Sequence, residues 1–82
     1  MATVTLYGKP GCCLCDEARA EVALLRERHG FALEEVDVSL DPRLARDYGE
    51  RIPVVAVDGR EACELGFQAA EVERLLARVA GP

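Results

Sequence analysis

The sequence has little of what membrane, secreted or nucleic-acid-binding proteins need. No apolar run approaches the roughly 20 residues that span a bilayer, and the N-terminus lacks the basic region and long apolar stretch of a secretory signal. Positive charge is also scarce: 10 Lys and Arg stand against 15 Asp and Glu, a net charge of −5, and they form no basic cluster. We therefore expect a soluble cytoplasmic protein that binds neither membranes nor nucleic acid.

The chain is also short, which limits its architecture. Its 82 residues allow one small domain, 1–82, and half of them are apolar, enough for a core without disulfide staples. Three of the 4 cysteines crowd into positions 12–15, too close together to bridge distant segments. This crowding favours catalysis or metal binding over structural disulfides.

Strand and helix patterns alternate in the first half of the chain. They predict a strand at Thr3–Tyr7, a helix from Cys15 onward that Gly30 stops, a strand at Phe31–Val38, and a short helix that Asp41 and Pro42 begin and Gly49 closes. The order of this half is therefore βαβα.

The second half predicts a hairpin and a terminal helix. Ile52–Val57 is almost continuously apolar, as in a strand covered on both faces, and Asp58-Gly59 is a two-residue hairpin signal. This turn pairs Val57 with Arg60 and, counting back, sets Cys63 opposite Val54. The apolar stripe of the last helix consists of Val72, Leu75, Leu76 and Val79. The full order is βαβαββα, with parallel pairing through right-handed crossovers and an antiparallel hairpin at the end.

The cysteines follow the first strand and open the first helix. A Cys-x-x-Cys at such a junction in an intracellular chain is typical of a redox pair. Cys12 would be the nucleophile, because unpaired N–H groups and the helix dipole favour its thiolate. Cys15, one turn into the helix and less exposed, would be the resolving thiol. The carboxylates of Asp16 and Glu17 partly offset the dipole.

Two separated segments carry a family resemblance. The run from Leu6 to Cys15 looks like the strand, turn and active site of glutaredoxins, and Arg51-Ile52-Pro53-Val54-Val55 looks like their cis-proline segment. The chain thus resembles the glutaredoxin-like branch of the thioredoxin superfamily over nearly its whole length, in particular a group with Cys-x-Leu-Cys followed by Asp-Glu. The resemblance implies an α/β fold with a four-stranded mixed sheet flanked by three helices.

The same resemblance implies a function and further site residues. We expect a thiol-disulfide oxidoreductase that reduces protein disulfides or glutathione mixed disulfides, without a tightly bound cofactor, as a monomer. Electrons would come from glutathione or a flavoprotein disulfide reductase. A cis bond before Pro53 would turn the backbone of Ile52 toward Cys12 and shape the substrate groove. Lys9 and Arg51 are candidate anchors for a substrate carboxylate, with ordinary surface positions as the equal alternative.

Other interpretations stay open from the residues alone. Cys12, Cys13 and Cys15, with or without Cys63, suit a metal or iron-sulfur carrier. A third possibility is an interaction module that keeps the fold without electron donors. Cys63 is more simply a small buried strand residue, Tyr7 and Tyr48 suit packing, and His29, at the far end of the first helix, suits the dipole rather than catalysis.

Overall fold

The computed structural model describes the backbone of residues 2–80 and the side chains of residues 2–78. Its elements are β1 (Thr3–Gly8), α1 (Cys13–His29), β2 (Ala32–Asp37), a 3-10 helix (Val38–Leu40), α2 (Pro42–Tyr48), β3 (Val54–Val57), β4 (Arg60–Cys63) and α3 (Ala69–Ala80). The predicted order βαβαββα is confirmed. The side chain of Val79, predicted on the apolar stripe of α3, lies outside the described residues.

The four strands form one mixed sheet in the order β2-β1-β3-β4. β1 and β2 are parallel, whereas β3 is antiparallel to both β1 and β4. The expectation of parallel pairing was therefore right for the first crossover and wrong for the second. A seven-residue α2 rises about 10 Å, roughly half the 20 Å length of a six-residue strand. It does not return the chain to the start of the sheet, so β3 begins where β1 and β2 end.

The hairpin between β3 and β4 has the predicted turn and a shifted register. Asp58 and Gly59 have φ of 49° and 85°, positive at both central positions as a type I′ turn requires. Val57 pairs with Arg60 as predicted. Cys63, however, lies opposite Val55 and not Val54, because the register shifts between Val55 and Ala56. An extra residue in β4 forms a bulge that simple counting from the turn does not reveal.

Local signals explain where the helices begin and end. Cys12 is the extended N-cap of α1, with φ −94° and ψ 116°, so the helix begins at Cys13 rather than at Cys15. Gly30 ends it in the left-handed conformation, and its N–H donates to the carbonyl of Arg26. At α2 the side chain of Asp41 accepts from the N–H of Arg43 at 2.8 Å, with proline in the first turn.

Two apolar clusters hold these elements together. The larger joins the sheet to α1 and α3 and consists of Val4, Leu6, Ala18, Val22, Leu25, Phe31, Val55, Val57, Cys63, Val72, Leu75 and Leu76. The smaller, here named the Cys15 cluster, contains buried Cys15, Val38 and Ile52, with Tyr7, Cys12, Leu44 and Tyr48 packed against them. Among residues 2–80, no helix is long and apolar enough to cross a membrane.

Candidate functional site

The two cysteines of the motif occupy different environments at the start of α1. Cys12 is partly exposed, whereas Cys15 is completely buried, and both are free thiols. Gly11, directly before Cys12, has φ of 80°, a conformation that side chains other than glycine rarely adopt. The N–H of Asp16 donates to the carbonyl of Cys12 at 3.0 Å, which closes the first helical turn. One thiol is thus presented to solvent while its partner lies behind it.

The surroundings of Cys12 favour its thiolate. Its pKa is lowered mainly by a hydrogen bond from the Cys15 thiol and then by the backbone N–H of Cys15, against a smaller opposing effect of burial. The N–H of Leu14 and the positive charge of Lys9 lower the pKa further. These are the unpaired donors of a helix N-terminus and a nearby cation, the two features that activate cysteine as a nucleophile.

The surroundings of Cys15 have the opposite effect. Burial is the main cause that raises its pKa, followed by its hydrogen bond to the Cys12 thiolate. The backbone N–H of Lys9 and the charge of Arg19 partly oppose this. A Cβ added at Gly8 would lie 3.0 Å from Sγ of Cys15, so the glycine at the end of β1 makes room for this sulfur. The pKa values of the two thiols are therefore shifted in opposite directions, that of Cys12 downward and that of Cys15 upward.

The predicted proline segment lies beside the thiols. Ile52 is buried in the Cys15 cluster, against which Cys12 also packs, and Pro53 is fully buried. The Ile52–Pro53 peptide bond is cis, as the family resemblance implied. Tyr7 and Tyr48 complete this side by stacking with ring centroids 4.2 Å apart, in agreement with the packing role predicted for them. Burial raises the pKa of Tyr7, and a hydrogen bond with Tyr48 adds to the effect.

The two candidate carboxylate anchors differ in their surroundings. Lys9 is exposed near Cys12, whose pKa its charge lowers. The guanidinium of Arg51 is instead already engaged. It donates to Glu61 at 2.7 Å and to the carbonyl of Asp47 at 2.9 Å, and lies 3.5 Å from Glu64. Arg51 also lies over the ring of Tyr48, 5.2 Å from its centroid. Of the two, only Lys9 has a cationic group that no carboxylate holds in the described structure.

Cys13 lies on the outer side of the thiol pair, whereas Cys63 and His29 lie apart from it. Cys13 is exposed on the first turn of α1, and Cys63 is buried in the larger cluster, where burial raises its pKa. His29 pairs with Glu73 of α3 at 3.1 Å, far along α1. Within residues 2–80 no three His, Cys, Asp or Glu side chains are grouped to hold a metal ion.

Several features of the site escaped the sequence analysis. A cavity of about 210 Å³ adjoins Cys15 on the side of β2 and is lined in part by Lys9, Arg19 and Glu35. Arg19 bonds there to Glu35 and, at 2.9 Å, to Asp16. Three leucines are exposed: Leu14 between the cysteines, Leu40 at the end of the 3-10 helix and Leu65 after β4. Of these features, only the leucines could have been noticed in the sequence, because they are apolar residues outside the periodic patterns that predict the core.

Comparison with known proteins agrees with this geometry. The family described as glutaredoxin-like domain (DUF836) matches residues 3–79. Uncharacterised proteins of Mycobacterium bovis and Mycobacterium tuberculosis are 35% identical over 63 residues, which cover 71% of this chain. The matched part spans 65% of the length of these relatives.

Solved structures give the same result. An X-ray structure of a structural genomics target from X. campestris is 36% identical with a TM-score of 0.68, covering 96% of this chain and 99% of that one. A solution structure of a protein from Nitrosomonas europaea is 26% identical with a TM-score of 0.80, covering 90% and 89%. A mutant thioredoxin from Halobacterium salinarum, 21% identical with a TM-score of 0.71, covers 99% and 76% and shows the shared fold.

The fold and the family together support a thiol redox function in general. Both the predicted fold class and the predicted family resemblance are confirmed. With a family match that covers nearly all of the sequence, this chain belongs to the glutaredoxin-like domain family.

Proposed function

We propose that the protein is a thiol-disulfide oxidoreductase that reduces protein disulfides or glutathione mixed disulfides through Cys12 and Cys15. The observation that carries this proposal is the asymmetry of the pair: an accessible thiol with a lowered pKa lies against a buried thiol with a raised pKa. A dithiol enzyme needs this difference, because one sulfur must attack first while the other waits.

The reaction has two steps. The Cys12 thiolate attacks one sulfur of the substrate disulfide, forms a mixed disulfide with it and releases the other sulfur as a thiolate. Cys15 then loses its proton and attacks Sγ of Cys12, which breaks the mixed disulfide and releases the second substrate thiolate. The substrate gains two electrons and, once its thiolates are protonated, two protons. The protein is left with a Cys12–Cys15 disulfide.

Substrate binding and turnover complete the proposal. An extended substrate segment would pair with the backbone of Ile52 as an added strand, in a groove that Pro53 shapes. Lys9 would face a substrate carboxylate, and Arg51 would support the site through its contacts with α2 and β4. No tightly bound cofactor is required. Glutathione or a flavoprotein disulfide reductase would return the protein to its dithiol form, in a cytoplasm where thiols are kept reduced.

Single cysteine variants test the proposal. Cys12→Ser should abolish reduction of a disulfide substrate, and Cys15→Ser should accumulate a mixed disulfide on Cys12 that mass spectrometry of peptide fragments identifies. Cys13→Ser is the matched control, since it removes an exposed thiol next to Cys12 and should keep the activity. Full activity in Cys12→Ser would exclude the proposed mechanism.

A further inference from the structure

Apolar side chains are exposed around the thiol pair. Leu14, Leu40 and Leu65, here named the leucine rim, are 48%, 81% and 60% exposed. Burying such side chains is favourable by about 25 cal/mol for each Å² removed from water, so their exposure next to a reactive sulfur is a feature that a partner can use.

Each member of the leucine rim adjoins the Cys15 cluster. Leu14 lies between Cys13 and Cys15 in the first turn of α1. Leu40 ends the 3-10 helix that begins at buried Val38. The N–H of Leu65 donates to the carbonyl of Arg51 at 2.9 Å, and Arg51 directly precedes Ile52 in the chain. Leu14 and Leu40 thus lie within two residues of the buried Cys15 and Val38, and Leu65 is hydrogen-bonded to the residue that precedes buried Ile52.

The charges at this edge do not suit a small anionic substrate. Glutathione carries two carboxylates, one ammonium group and no large apolar side chain, so it could not use the leucines. Of the two candidate anchors, only Lys9 is free in the described structure to meet the net negative charge of glutathione. The cation on the proline side, Arg51, is held by Glu61 and Glu64, which leaves one surplus negative charge beside Leu65. This surplus and the net charge of −5 disfavour an approaching anion.

We propose that the preferred substrate is a protein disulfide flanked by apolar residues, without acidic residues nearby, which the leucine rim contacts while Cys12 attacks. The disulfide of glutathione is then a poor substrate, despite the family to which the chain belongs. This inference rests on the proposed function, because it names the substrate class of the same thiol pair.

Rates with three disulfides test the inference. The pre-reduced protein is mixed with a disulfide-linked peptide that has leucines beside its cysteines, with a peptide of equal length that has serines there, and with oxidised glutathione. We expect the leucine peptide to react about tenfold faster than the other two, from the apolar area that it buries. Equal rates, or a faster reaction with glutathione, would overturn the inference and leave the proposed function intact. Failure to reduce any of the three would overturn both.

Leucine variants test which residues cause the preference for the leucine peptide. Leu40→Ser combined with Leu65→Asn removes two members of the leucine rim, and asparagine tolerates the positive φ of 59° at position 65. This variant should lose most of the preference for the leucine peptide. Leu24→Ser is the matched control, because Leu24 is 63% exposed on α1 but lies far from the thiols, near Phe67. An equal loss of preference in Leu24→Ser would contradict a role of the leucine rim.

A second variant tests the charge argument. Glu61→Gln combined with Glu64→Gln leaves Arg51 without its carboxylates and removes two negative charges. We expect the rate with oxidised glutathione to rise several-fold and the rate with the leucine peptide to change little. An unchanged rate with glutathione would show that the engaged guanidinium does not explain the selectivity.

Discussion

Cys12 and Cys15 have the same side chain and lie three residues apart, yet their pKa values are shifted in opposite directions. The sulfur of Cys12 receives the thiol hydrogen bond of Cys15 and the backbone N–H groups of the first turn of α1, all of which stabilise negative charge. The sulfur of Cys15 is excluded from water, which disfavours charge. The difference between the two thiols is therefore set by their positions in the fold, not by residue type.

This contrast predicts how Cys12 responds to pH. Alkylation proceeds through the thiolate, so a lowered pKa moves the midpoint of the rate profile to lower pH. In a Cys13→Ser background, Cys15→Ala should raise that midpoint, because it removes the largest cause of the lowered pKa. The midpoint should still lie below that of an unstructured cysteine peptide, since the backbone donors remain. Iodoacetamide rates measured against pH check this expectation.

The matched control for this prediction is Cys63→Ala in the same background. Cys63 is buried in the larger cluster and does not contribute to the pKa of Cys12. Its replacement should leave the midpoint in place. A midpoint that does not move in Cys15→Ala would mean that the thiol hydrogen bond has little effect on Cys12.

At the scale of elements, the site depends on how closely β1 approaches α1. Gly8 ends β1 directly below Cys15, and a Cβ there would lie 3.0 Å from Sγ and 3.2 Å from Cβ of Cys15. Real Cβ atoms rarely approach so closely, so strand and helix would have to separate. The glycine thus allows both the close packing of strand and helix and the buried position of the Cys15 sulfur.

Gly8→Ala should therefore destabilise the fold. We expect a loss of about 1–2 kcal/mol in the free energy of unfolding, measured by urea denaturation. Adding Cys15→Ala removes the crowded sulfur, so the double variant should lose less than the two single variants together. Strict additivity would show that the methyl group finds space elsewhere.

At the scale of the whole molecule, an 82-residue chain has a small margin of stability. Most of its buried side chains belong to the larger cluster between the sheet and helices α1 and α3. The smaller Cys15 cluster is separate from it and includes the partly exposed Cys12. Most of the core is thus separated in space from the candidate site, and core variants should affect stability without changing the residues of that site.

Two adjacent leucines of α1 test this separation. Leu25 is buried in the larger cluster, whereas Leu24 is largely exposed. Leu25→Ala should lower the free energy of unfolding by about 3 kcal/mol, and Leu24→Ala should change it by less than about 0.5 kcal/mol. Urea denaturation followed by circular dichroism measures both. Similar losses in the two variants would contradict the assignment of Leu25 to the core.

Local patterns were sufficient for the elements and for the thiol pair. Periodicity, Asp41 and Gly30 predicted the helices, Asp58-Gly59 predicted the hairpin turn, and the cysteine spacing at a strand-helix junction predicted that Cys12 and Cys15 form the candidate site. These features depend on neighbours within a few positions along the chain, so the sequence shows them directly.

Features that depend on contacts between distant segments were decided only by the tertiary structure. The direction of β3, the bulge that sets Cys63 opposite Val55, and the carboxylates that engage Arg51 each join positions that are separate in the sequence. The same is true of the difference in burial between Cys12 and Cys15. The motif suggested this difference, and it arises because Cys15 packs against Ile52 and Gly8. Charge, burial and register arise from through-space neighbours, and the chain acquires those neighbours only when it folds.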